Sequence, residues 1–244
     1  MAKDQILFSD SELAWSEIKP TIQRKLLEAG AKRILEVGAG ANPLFDEAFL
    51  RQHQLQYTAL DISATELAKA PDCYHKIVGD ICDDKLHIDG QYDFVFSRML
   101  AEHVKDGRGF HQNILRLLAP GGRAFHFFPT LWALPFIVNR LLPEGPSQVI
   151  LNYLQRDRHQ EGNHAKFPAL YSWCRGPTEG QLNRMRGLGY EIEEYIGFFG
   201  HRGYYVKIKP LLKFHDGLTR WLLRHPVPYA TSYAYATLRK PLSN

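Results

Sequence analysis

The sequence predicts an α/β fold with a mostly parallel sheet, closed by an antiparallel pair of strands. Three observations predict it. Short apolar runs alternate with helix-like segments between Arg33 and Phe128. Such runs are the mark of strands covered on both faces by crossover helices. Turn-formers such as Gly38-Ala39-Gly40 and Pro120-Gly121-Gly122 punctuate the runs. A last helix-like stretch, ended by Gly189, is followed by two further strand-like runs.

In order, Ser11–Ala29 reads as an amphipathic helix and Arg33–Val37 as the first core strand. Pro43–His53 follows as a helix, since proline suits the first helical turn. Gln56–Leu60 is a strand, Ala64–Ala70 a short helix, and His75–Gly79 a strand. Tyr92–Ser97 is a strongly apolar strand, Gly109–Leu118 a helix and Arg123–Phe128 a strand. Thr178–Leu188 is a helix with Thr178 as N-cap. Glu191–Phe198 and Tyr204–Lys209 then read as two strands joined through "GFFGHRG". The expected organisation is a core over 1–129, an inserted lid or substrate-binding segment over 130–177, a closing helix and hairpin over 178–209, and a helical, aromatic extension over 210–244. Loops as long as the insertion are commonly functional.

The chain has 244 residues and 45% apolar content, enough for one large domain. No apolar run is long enough to span a bilayer, and the first residues lack a signal-peptide core. Three cysteines with no CxxC pair fit reduced thiols in a cytoplasmic protein. Residues 1–129 carry 15 Lys+Arg against 18 Asp+Glu, a net −3, whereas 130–244 carry 15 against 8, a net +7. This asymmetry points to an anionic partner for the second half, or to no more than a solvated basic surface. "LWALPFIVNRLLP" and "PLLKFHDGLTRWLLRHP" combine aliphatic, aromatic and basic residues, so peripheral contact with the inner face of a membrane is one reading, and packing as cap and terminal helices is the other. The late tyrosines Tyr229, Tyr233 and Tyr235 fit a pocket or a subunit contact; the oligomeric state is not legible.

The stretch "RILEVGAGANPLF" carries the functional argument. Gly38 and Gly40 leave bare backbone at the end of a buried strand, where a ligand can approach. The third glycine of a dinucleotide fingerprint is absent, and so is the Gly-Lys-Ser/Thr of a phosphate loop. Glu36 lies at the strand end, Asp61 ends the next strand 25 residues later, and Asp80 follows the third after 19 more. Successive acids at strand ends put carboxylates along the edge where open parallel sheets bind ligands. Each acid alone could equally cap a turn or helix.

These residues resemble the first motif and following acids of class I S-adenosylmethionine (SAM) methyltransferases, over roughly residues 30–130, with Asn42 departing from an optional glycine. The resemblance implies a Rossmann-like sheet, SAM as cofactor, and cofactor contacts at Glu36, Gly38, Ala39, Gly40, Asp61, Ile62, Asp80, Ile81, Ser97 and Arg98. Within it, Asp61 would take the ribose hydroxyls, Asp80 the adenine amino group, and Ile81 the face of the ring. "YDFVFSRMLAEHV" would pass the methyl group, which makes His103 the candidate catalytic residue, as a base or as part of the pocket wall. His164, Tyr171, Arg175, His201, Arg202 and Tyr204 are the candidate substrate contacts, with Arg175 or Arg202 suited to an anionic group. His159 and His164 lack further ligands at metal spacing, so no metal is expected. Nucleic-acid methylation is disfavoured, because "SRML" stands where an Asn/Asp-Pro-Pro-aromatic tetrad would fall and no Pro-Cys motif is present. The expected activity is methyl transfer to a hydroxyl oxygen of a small-molecule or saccharide acceptor. The rivals are an N- or C-methyltransferase, a methyltransferase of a lipid-linked acceptor, and a cofactor-binding protein without catalysis.

Overall fold

The computed structural model describes residues 4–131 and 168–242. Strand β1 (Gln5–Asp10) leads into α1 (Ser11–Ser16) and α2 (Ile18–Glu28), then β2 (Arg33–Val37), α3 (Glu47–His53) and β3 (Gln56–Asp61). The chain continues through α4 (Ala64–Leu67), β4 (His75–Val78), β5 (Tyr92–Arg98), α5 (Gly107–Leu117) and β6 (Leu118–Pro129). Beyond residue 167 come α6 (Glu179–Leu188), β7 (Glu191–Phe199), α7 (Lys209–Arg224) and β8 (Tyr233–Arg239). The eight strands form one sheet in the order β1-β7-β8-β6-β5-β2-β3-β4. Every pairing is parallel except those of β8, which runs against both β6 and β7.

Central strands are buried on both faces. Phe94 and Phe96 of β5, Phe125 and Phe127 of β6, Tyr195 of β7 and Tyr235 of β8 are all fully buried. Their rings meet edge-on or tilted, as Phe127 and Tyr235 do at 5.3 Å. The fold agrees with the expected α/β sheet, including its antiparallel closure, but four element assignments need correction.

The run Tyr204–Lys209 is not a strand. Arg202–Tyr204 forms a 3-10 turn, and α7 begins at Lys209 with Pro210 in its first turn. The antiparallel partner of β7 is β8, which inserts between β6 and β7. Residues 210–242 are therefore no appendage, since β8 completes the sheet. Second, Ser11–Ala29 is two helices. An unbroken helix would need an N–H from Pro20, so the chain restarts at Ile18 and places proline in the first turn. Third, α3 starts at Glu47 rather than Pro43, because the Asp46 side chain caps it by accepting from Phe49 N–H at 2.9 Å. Fourth, β1 was not anticipated; it pairs with β7 from Gln5↔Glu194 to Asp10↔Phe199.

Candidate active site

The site is built at the carboxyl ends of β2, β3 and β5. Register aligns them: Val37 lies opposite Leu60 and Ser97, and Asp61 opposite Val78. The glycine turn after β2 is anchored by Gly38 N–H and Ala39 N–H donating to the Leu60 carbonyl at 2.8 and 3.2 Å. Gly38 and Gly40 have φ of +76° and +52°, in the left-handed region where a side chain is strained. A Cβ on Gly38 would also lie 2.9 Å from Leu100.

Asp61 is fixed in place by the backbone. Its Oδ2 accepts from Gly40 N–H and its Oδ1 from Ser63 N–H, both at 2.8 Å. Each carboxylate oxygen keeps a further lone-pair direction, which suits a pair of vicinal hydroxyls. Ile62 beside it is 61% exposed. Asp80 is exposed and accepts from Cys82 N–H at 2.8 Å through Oδ1, and Ile81 next to it is buried in the core. Burial, reinforced by Asp80, pushes the Cys82 thiol up to about 12, so it stays protonated.

Three expected cofactor contacts are used differently. Glu36 is 1% exposed, and its carboxylate is saturated from inside. Oε1 accepts from Arg98 Nε and Nη2 at 2.9 and 2.6 Å, while Oε2 accepts from Leu44 N–H at 2.9 Å and from the Tyr57 hydroxyl. Burial raises its pKa, and Arg98 opposes that rise. Glu36 therefore ties β2 to β3, β5 and the 38–44 loop. Arg98 is committed to Glu36 and to the Asn42 carbonyl at 3.3 Å, although its side chain still lines the cleft. Ser97 is fully buried and its Oγ bonds His126 Nδ1 at 2.8 Å, so its side chain turns into the core.

An open cleft of about 350 Å³ follows the glycine turn, lined by Trp15, Ala39, Gly40, Arg98, Met99 and Phe127 among others. Its size is in the range of small-ligand sites, roughly 300–1,000 Å³. The sequence reading missed Trp15, Met99 and Phe127. Trp15 of α1 packs edge-on against Phe127 and Tyr233 at 5.1 and 5.6 Å. Met99 adopts φ +49° with its N–H on the Phe127 carbonyl at 2.8 Å, a conformation uncommon outside glycine and frequent at functional sites.

His103 ends the 3-10 turn Ala101–His103, just past β5. Its Nδ1 lies 3.2 Å from the Pro168 carbonyl, and its Nε2 lies 3.7 Å from Glu102 Oε1. Glu102, also missed, is 2% exposed and its Oε2 has no hydrogen-bond partner among the described residues. Burial pushes its carboxyl up to about 8. The Glu102 carbonyl accepts from Leu170 and Tyr171 N–H at 2.7 and 2.9 Å, docking the 168–174 loop onto the turn.

Of the expected acceptor contacts, His164 lies outside the described residues. Tyr171 lies on the Glu102 carbonyl, and Tyr204 is near Tyr171. Tyr171 is buried, and after burial the groups that raise its pKa are Glu102 and then Tyr204. Arg175 donates to the Tyr171 and Cys174 carbonyls at 2.9 and 3.0 Å, a loop-bracing role. Arg202 faces Asp216 at 3.4 Å and Glu12 at 3.5 Å. Those partners correct the expectation of an anion clamp. His201 bonds Ser232 Oγ at 2.9 Å and the Tyr205 hydroxyl at 2.8 Å, and burial lowers its pKa to about 3.

A methyltransferase-domain model matches residues 14–194, three quarters of the chain. The chain belongs to the methyltransferase-domain family. It is a SAM-dependent methyltransferase. It is 29% identical over 184 residues to a ubiquinone biosynthesis O-methyltransferase of Xanthomonas oryzae pv. oryzae, covering 68% of this chain and 69% of that one. Among solved structures it resembles the 4+2 cyclase SpnF, with TM-score 0.58 and 18% identity over 93% of this chain and 81% of that one. It also resembles an S-adenosylmethionine-dependent methyltransferase from Mesorhizobium loti, with TM-score 0.52 and 19% identity over 91% and 96%. Those two likenesses concern the fold. The strand ends fit such a cofactor: a bare glycine turn, the Asp61 carboxylate preset by two backbone donors, and an exposed Ile62 beside it. No group of His, Cys, Asp and Glu suited to a metal ion occurs among the described residues.

Proposed function

We propose that this methyltransferase acts on a hydroxyl oxygen of a small-molecule or saccharide acceptor, with His103 taking the hydroxyl proton. The observation that carries the reading is the setting of His103 at the end of β5. Nδ1–H donation to the Pro168 carbonyl leaves the lone pair on Nε2, the basic nitrogen. The O-methyltransferase from Xanthomonas oryzae supports an oxygen acceptor.

Bound SAM supplies a methyl group on a sulfonium, which departs as a neutral thioether. This chain's residues would do the rest. Asp61 and Asp80 hold the nucleoside, and the glycine turn admits it without a Cβ in the way. The acceptor enters beside His103 and Tyr204. As the acceptor oxygen takes up the methyl group, Nε2 of His103 would receive the hydroxyl proton. Glu102, 3.7 Å away, would favour the imidazolium that results once it ionises above about pH 8.

Calorimetry with SAM and turnover with methyl-labelled SAM on a panel of hydroxylated acceptors test this together. Asp61→Ala and Gly38→Val are expected to weaken SAM binding by tenfold or more, on the order of one lost charge-assisted contact. His103→Ala should keep SAM affinity and lose about a hundredfold or more in turnover. Unchanged turnover in His103→Ala, or labelled product carrying the methyl on nitrogen or carbon, overturns the proposal.

A further inference from the structure

Half of the exposed large apolar side chains among the described residues, eight of sixteen, fall within residues 206–229. This segment holds α7. The helix packs against β1 and β7 through His215, Thr219 and Leu222, spaced as one helical face. A second set, Leu211, Phe214, Leu218 and Trp221, repeats every three or four residues and forms a continuous stripe beside that face. The stripe faces solvent: Phe214 is 68% and Trp221 51% exposed.

The rest of the helix surface is cationic. Residues 206–229 contain five Lys+Arg and one Asp, a net +4 that equals the charge of the whole chain. The single acid, Asp216, is turned toward its own molecule, 3.1 Å from His215 Nδ1 and 3.4 Å from Arg202. Lys213 and Arg224 border the Trp221 edge of the stripe at 3.6 residues per turn. No helix among the described residues is long and apolar enough to cross a membrane.

We infer that α7 docks this protein on the surface of an anionic lipid bilayer. The stripe would lie at the acyl boundary, with Trp221 at headgroup level and the Lys and Arg heads against lipid phosphates. Charge complementarity selects this occupant. A second copy meeting the stripe about a two-fold axis would set one +4 face against another. Phe214 and Trp221 would stack a base, but Leu211 and Leu218 of the same stripe would then face a polar nucleic-acid backbone and offer no base-edge hydrogen bond, whereas a bilayer takes up all four. The inference is independent of which acceptor the enzyme methylates.

Sedimentation of the full chain with vesicles tests it, comparing phosphatidylglycerol-containing with pure phosphatidylcholine membranes at low and high salt. Binding is expected only to the anionic vesicles and should fall as salt rises. The double variant Phe214→Ser with Trp221→Ser should weaken partitioning about tenfold or more. The double variant Lys213→Glu with Arg224→Glu should weaken it by roughly fivefold per charge removed. SAM affinity should be the same in all three proteins. Absence of binding to anionic vesicles at low salt overturns the inference, as does binding that neither variant changes. A marked drop in Tm for Phe214→Ser with Trp221→Ser, or a dimer in sedimentation velocity that this variant dissolves, would show the stripe is covered by protein and likewise overturn it.

Discussion

Glu102 shows how a single side chain can set a pH dependence that no motif announces. Its carboxyl is buried beside His103, and burial alone holds it protonated up to about pH 8. Below that pH a neutral acid does little for a cationic imidazole. Above it, the carboxylate stabilises the charge that forms as the acceptor proton is taken up. The rate of methyl transfer is therefore expected to rise through about pH 8, and Glu102→Gln should remove that limb while leaving SAM affinity intact. Initial rates between pH 6.5 and 9.5 decide; an identical limb in both proteins assigns the titration to another group. Gly38, Gly40, Asp61 and Asp80 were legible because a parallel sheet converts a local motif and a spacing into a spatial row. Glu102 is not, because no motif marks it and its enclosure depends on Tyr171 and Leu170, far along the chain. Glu36 and Ser97 depart from expectation for a related reason. Position at a strand end was readable, but the inward partners Arg98, Tyr57 and His126 were not.

At the scale of elements, the segments with strong local signals came out as expected. Thr178 caps α6 by accepting from Gln181 N–H at 3.3 Å, and Gly189 ends the helix. Because α6 leads directly into β7, Thr178→Ala is expected to cost about 1 kcal/mol of stability, read as a lower denaturant midpoint with an unchanged slope. Substitution by Ser should restore most of it. The strands that escaped detection lacked such signals. In β8, "YAYATLR" alternates tyrosine with alanine, and alanine is depleted in strands; it fits because small residues suit a central strand covered on both faces. Tyr204–Lys209 carries the stronger strand propensity yet folds otherwise. Pro210 fits the first turn of a helix, and the place beside β7 is already taken by β8. Register within a sheet is a competition, and only the winner's partners reveal it.

For the whole molecule, the buried ionisable groups combine into a stability optimum. His111 and His126 are fully enclosed, with rings 5.1 Å apart. His111 Nδ1 and His126 Nε2 have no hydrogen-bond partner among the described residues. Burial lowers His111 to about 3 and His126 well below its ordinary 6.5, and His201, less enclosed, also falls to about 3. Below pH 6.5 the unfolded chain binds protons on these histidines that the folded chain refuses, so stability is lost as pH falls toward 3. Glu102 acts with the opposite sign. Its folded pKa of about 8 exceeds the unfolded 4.5, so the folded chain holds an extra proton across that window and loses stability as pH rises through it. Between pH 4.5 and 6.5 the three histidines oppose two carboxyls, Glu102 and Glu36, whose pKa values burial raises. The net slope there is positive with rising pH, on the order of 1 kcal/mol per pH unit. Between 6.5 and 8 the histidines no longer contribute, and the slope reverses, with Glu102 alone supplying about 1.4 kcal/mol per unit. Stability should therefore peak close to pH 6.5, which denaturant midpoints measured from pH 4.5 to 9 will show. His111→Phe, placed among Phe110, Trp173 and Tyr190, should flatten the acid side without moving the alkaline side. Glu102→Gln should do the reverse, leaving a plateau from pH 6.5 upward. A midpoint indifferent to pH between 5 and 8 in the wild type would mean that the histidines and the carboxyls exchange protons as freely folded as unfolded, contrary to the enclosure of His111, His126 and Glu102.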